Sequence, residues 1–183
     1  MSILPNILIL LAAILVVFGQ SAFSLLRQLL GVQLDLLPAL MVYTALTASP
    51  FMMITLAVTG GLFFDTLSAN PLGTSVLPLL LIGFLIQIRR DLLLSHQVYA
   101  QFVLGLIASA VAPAISVLIL LTLAKSPLLG WGSLWQWFVM SVGGGIATPL
   151  LFLLFGKLNH ALGYQRITET SFRADREIRR GRN

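Results

Sequence analysis

The chain has 183 residues, 58% of them hydrophobic and 9% charged, with a mean hydropathy of +0.98. A water-soluble domain carries about 25% charged residues, so this composition excludes one and points to a bilayer. There is no cysteine, which rules out a disulfide framework, a thiolate metal site and a cysteine nucleophile. The net charge of +5 is uneven: seven of the eleven basic residues and three of the six acids lie from Lys157 onward.

A spanning helix needs about 20 apolar residues, so the chain has room for five or six. The expected fold is an all-α integral membrane protein, a compact bundle of about six transmembrane helices over 1–156 with a basic cytoplasmic tail over 157–183. The first segment runs from Ile3 to Leu26 and ends at Arg27-Gln28. No Lys or Arg precedes it, as one would in a secretory signal, so it reads as a retained span.

The second segment begins near Leu34, with Asp35 at its edge, and continues to Thr47, where Ser49-Pro50 interrupts it. The third runs from Phe51 to Phe64. As one helix, Leu34 to Phe64 would measure about 46 Å, well beyond a hydrocarbon core of about 30 Å, and Pro50 breaks the backbone pattern. The spacing therefore predicts two short helices that face protein rather than lipid; the alternative is a single tilted helix kinked at Pro50.

Segment four, Val76 to Ile88, closes on Arg89-Arg90-Asp91. Segment five, Tyr99 to Leu123, carries Gly105, Ser109 and Pro113 at four-residue spacing, a stripe suited to close helix approach or, at the proline, to a kink. Trp131, Trp135 and Trp137 cluster at the mouth of segment six, Leu134 to Phe155, and place a membrane surface there. Within that span Ser141, Gly143-Gly144-Gly145 and Ala147 bare the backbone for close packing or a bend. The glycine run lacks the lysine and hydroxyl residue of a phosphate loop, which excludes nucleotide binding. In the tail, Glu169 with Arg173 and Asp175 with Arg179 are spaced to support a partly helical, solvated segment.

The informative stretch lies from Thr59 to Ser75. It carries Asp65 at the end of an apolar run, then the turn-forming Asn70-Pro71-Leu72-Gly73, then a second apolar run from Val76. An ionised acid at the bilayer centre costs about 2.5–3.5 kcal/mol on insertion scales, so Asp65 needs water, a partner or a proton. Gly61-Leu62-Phe63-Phe64-Asp65, Leu67-Ser68 and Pro71-Leu72-Gly73, with Asp35 beginning the preceding segment, resemble the rod shape-determining protein MreD family. The resemblance covers Asp35 to Ile88 best. Where family members begin the second segment with Arg-Pro-Asp, this chain has Gln33-Leu34-Asp35.

Short loops rich in Lys and Arg stay in the cytoplasm. With six spans and a cytoplasmic N-terminus, Arg89, Arg90 and the seven tail residues fall inside, and only Arg27 and Lys125 fall outside. Both chain ends are thus expected in the cytoplasm. Asp35 and Asp65 then share the outer rim, where they approach each other or share a partner, either as a polar contact that holds helices or a subunit or as a site for a cation or proton in transport. Asp35 suits a helix's first turn; Asp65, near a helix C-terminus, has no such explanation. Asp91, His96 and His160 show no metal-ligand spacing and no nucleophile elbow is present, so no enzyme, metal or cofactor is expected.

The resemblance implies a non-enzymatic scaffold in the bacterial inner membrane. Its implied partners are the bitopic protein MreC and, directly or indirectly, MreB and the peptidoglycan synthases of the elongation complex; it implies no nucleic acid. Asp35, Asp65, Gly61, Pro71 and Gly73 are the expected partner or helix contacts. The alternative is a substrate-binding subunit like those of energy-coupling vitamin transporters, whose fold that of MreD is thought to resemble. Such a carrier needs convergent polar groups, and the spans offer few beyond Tyr43, Asp65, Gln87 and Gln101.

Overall fold

The computed structural model describes residues 3–22, 32, 35–68, 71–90, 97–123 and 130–161. All regular structure among them is helical: α1 (Ile3–Ala22), α2 (Leu37–Thr47), α3 (Pro50–Leu67), α4 (Val76–Arg89), α5 (Val98–Thr122) and α6 (Trp131–Ala161). Three are long and apolar enough to cross a membrane, namely α3, α5 and α6. The other three are shorter apolar helices by the same measure, taken over the described residues.

Helix α2 is the centre. Its first turn contains Pro38, whose missing N–H is tolerated there. The chain then becomes extended at Ala48, and Ser49 caps α3 by accepting the Met52 N–H at 3.3 Å. The apolar run therefore splits into two helices, and no single kinked helix forms. Every residue from Leu37 to Ala45 is buried, and α2 packs against all five other helices. A helix apolar on all sides has no face to offer water and is stable only when surrounded.

The expectation of shelter fails for α3. It runs 18 residues, about 27 Å, and its buried stripe of Met53, Leu56, Ala57 and Gly60 is matched by an exposed one including Phe51, Ile54 and Val58. Apolar residues fill both stripes, and hydropathy alone does not separate a lipid-facing residue from a core residue. In α1, Ile9, Ala13 and Val17 at four-residue spacing face the bundle, while Leu11, Leu15 and Phe18 are exposed.

Helices α5 and α6 form a close antiparallel pair. A Cβ on Gly105 would stand 2.7 Å from the Gly144 carbonyl oxygen and would collide with Thr148, and one on Gly144 would collide with Ser109. The small-residue stripe thus brings two backbones together at Gly105 and Ser109. Tyr43 ties this pair to α2, its ring stacking on Phe155 at 4.5 Å and meeting Phe152 edge-on at 4.9 Å. Helix α6 is longer than expected: it begins at Trp131, so the tryptophans lie inside its first turns, and it continues through Lys157 to Ala161. The Trp137 indole donates to the Ala110 carbonyl at 2.7 Å, three residues before Pro113. Trp137 is therefore an interhelical tie as well as an amphipathic ring near a helix end. The segment 162–183, with the charge pairs expected in the tail, lies outside the described residues, as do Arg27, Asn70, Asp91, His96 and Lys125.

Candidate functional site at one rim of the bundle

The C-terminal end of α3 and the N-terminal end of α4 build a hairpin around Asp65. This side chain is 1% exposed, and its Oδ2 accepts the backbone N–H groups of Gly73 at 2.7 Å and Ser75 at 3.2 Å. The intervening turn closes through Pro71, whose carbonyl accepts both the Thr74 N–H at 3.2 Å and its hydroxyl at 2.7 Å. Hydrogen bonds to an ionised acceptor are the stronger kind, so the carboxylate holds the turn that reverses the chain. The other oxygen, Oδ1, is buried and has no hydrogen-bond partner among the described residues.

Two glycines of the motif have separate reasons. Gly73 has φ +91°, a conformation that costs a side-chain-bearing residue about 1–2 kcal/mol. Gly61 faces the start of α4, where a Cβ would stand 3.0 Å from the Val76 backbone. Since nothing lies within 4 Å of a Cβ at Gly73, Gly73→Val should destabilise by the backbone term alone, about 1–2 kcal/mol in a thermal unfolding series. Gly73→Asn, tolerant of positive φ, should cost less; equal losses would place the cause elsewhere.

Asp35 stands at the same rim, just before α2. Its Oδ1 accepts the Leu37 N–H at 2.9 Å, which satisfies one of the free donors of the helix start. The residue is half-buried, and burial of the carboxyl pushes it up to about 6, opposed by the Leu37 hydrogen bond and reinforced by the charge of Asp65. Asp65 therefore lies near enough to act on the Asp35 carboxyl.

The folded chain holds the Asp35 proton more tightly than an unfolded chain at 3.8. Its contribution to stability is thus greatest below about 4, declines as pH rises toward 6 and is flat above that. A carboxyl band in an infrared titration should vanish with a midpoint near 6 and be missing in Asp35→Asn; a midpoint near 4 would show the carboxyl to be hydrated.

A groove of about 230 Å³ opens beside Asp35, between α4 and the α5–α6 pair. Its polar groups are Asp35, Ser75, Ser116 and Gln136; Pro78, Pro113, Val117 and Met140 are among its apolar walls. Among the described residues no basic side chain lines it. Sequence reading missed Ser116, Gln136 and Met140, because five helices separated in the chain bring these walls together. The one available signal was Gln136 among the aromatic residues at the start of segment six.

The polar groups that a carrier would gather do not meet here. Tyr43 packs against α6, and none of Tyr43, Asp65, Gln87 and Gln101 lines the groove. With its amide nitrogen toward Ala45, Gln87 donates to that carbonyl at 2.8 Å and its oxygen accepts from Arg90 at 3.2 Å, near the far end of α4. Several hydroxyls answer carbonyls of their own helices: Thr44 donates to Leu40, Ser116 to Ala112 and Thr148 to Gly144. Among the described residues no three His, Asp or Glu gather as a metal site would need.

The class defined by these features is an all-helical protein with three helices long and apolar enough to cross a membrane, built around a buried central helix. No protein-family profile, curated protein or solved structure matches the chain.

Proposed function

We propose that the protein is a non-enzymatic scaffold of the bacterial inner membrane, similar in role to the MreD family, that binds an MreC-like bitopic protein. Through that partner it would support the peptidoglycan side-wall synthesis machinery and cell shape. The observation that carries this reading over transport is the occupied axis: α2 is enclosed by the other five helices and buried from Leu37 to Ala45. Ligand pockets usually enclose about 300–1,000 Å³ with convergent polar groups. The rim groove is smaller than that, and the carrier candidates lie apart from it. A vitamin-type substrate-binding subunit is thus the weaker reading.

A membrane adaptor needs a rigid frame and a polar feature to offer a partner; the α3–α4 hairpin built on buried Asp65 supplies the first and half-buried Asp35, just before α2, the second. The charge distribution supports an orientation with this rim outside and Arg89 and Arg90 inside. Purification of the full chain in mild detergent, with identification of what accompanies it, tests the reading. A bitopic membrane protein of the elongation complex should co-purify in comparable amount. A chain that arrives alone, with a small soluble metabolite bound between its helices, would overturn the scaffold in favour of uptake.

A further inference from the structure

The groove beside Asp35 contains a carboxyl that no basic group among the described residues of its wall answers. Asp35 Oδ1 accepts the Leu37 N–H, and the Asp65 carboxyl lies near enough to act on Asp35. The rest of the described lining is uncharged. A partner that fits must bring positive charge on an apolar stem.

We propose that this groove, between α4 and the α5–α6 pair, receives a Lys or Arg side chain from the membrane helix of the bitopic partner, with Asp35 as its counter-charge. The inference rests on the scaffold reading and locates its contact. Long basic side chains lay their methylene stems along apolar surface and keep the charged head at a polar edge. Pro78, Pro113, Val117 and Met140 provide the apolar walls, and Asp35 the polar edge. The volume of about 230 Å³ equals that of roughly eight waters at about 30 Å³ each, space for a long side chain but not for a helix.

Asp65 is not this contact. It is 1% exposed, its Oδ2 is held by the turn, and it is absent from the groove wall. A phospholipid ammonium is disfavoured because the headgroup phosphate would come with it toward two carboxylates. A protein side chain brings no such anion.

The test places a photo-crosslinking amino acid at Val117 or Met140 of the full chain, in cells that also produce an epitope-tagged form of the MreC-like protein. Leu153, exposed and away from the groove, is the control position. Val117 and Met140 should cross-link to the tagged protein and Leu153 should not. Asp35→Asn retains a side-chain oxygen for the Leu37 N–H, so helix α2 keeps its start while the charge is lost. It should reduce the cross-link about tenfold or more, the low end of what close charge pairs contribute across interfaces. Asp35→Glu should retain it, and the thermal midpoint of Asp35→Asn at pH 7.5 should not fall below the parent's, since the substitution removes a buried charge.

A cross-link indifferent to Asp35→Asn, one equally strong at Leu153, or products formed only with lipid or with the chain's own segments would overturn the assignment. If the tagged protein co-purifies without cross-linking from the groove, this inference fails and the scaffold stands. Absence of co-purification fails the scaffold itself.

Discussion

Asp65→Ala should lower the stability of the folded protein by about 2–5 kcal/mol, the larger part of it through two backbone groups. Without the carboxylate, the Gly73 and Ser75 N–H groups lose their acceptor, and an unsatisfied buried donor costs about 1–3 kcal/mol. Removing Asp65 also removes a buried oxygen that has no partner among the described residues, which offsets some of the loss. Asp65→Asn keeps an oxygen able to accept both bonds but without the charge, so it should fall between alanine and the parent. The check is the thermal midpoint in detergent, together with protease sensitivity of the segment between α3 and α4. Unchanged stability in Asp65→Ala would mean that the carboxylate does not hold the hairpin.

This result bears directly on function. A rounding of cells caused by Asp65→Asn is explained equally by a loosened hairpin and by a lost partner contact. Asp35→Asn separates the two, because it leaves the α3–α4 turn untouched and retains an oxygen at the start of α2.

The second large effect is expected at the α5–α6 crossing. Gly105→Leu drives a side chain into the Gly144 carbonyl and Thr148, which are parts of a facing helix and not the ends of flexible chains. Overpacking of this kind costs about 1–3 kcal/mol and occasionally more, and a backbone obstacle puts this substitution at about 3 kcal/mol. For a chain of this length that corresponds to a midpoint lower by about 6–12 °C. Gly156→Leu is the control, since a Cβ there meets nothing within 4 Å and leucine favours a helix over glycine. Equal destabilisation by both substitutions would refute close approach as the role of Gly105.

The split at Ser49-Pro50 was legible because proline and a capping hydroxyl act on the local backbone, whatever packs around them. The Gly105 and Ser109 stripe was legible for a related reason: absent side chains at helical spacing permit only a close neighbour. The motif from Gly61 to Gly73 was visible too, but its meaning changed. Read alone, Asp65 was an acid lacking a local explanation; folded, it is the acceptor that organises Pro71 to Ser75. Its donors are eight and ten residues away, and no helical or strand period connects them.

The sequence by itself determined that the chain is helical and suited to a bilayer, where the helices break, and that two acids stand near helix ends. Those properties follow from hydropathy and backbone chemistry, which operate over a few turns. Only the tertiary structure decided that α2 is enclosed while α3 presents an exposed apolar face, that Asp65 serves the chain's own turn, and that Asp35 borders a groove. In an almost wholly apolar chain the contrast between core and surface is weak, so which face meets protein depends on shape complementarity among helices distant in sequence.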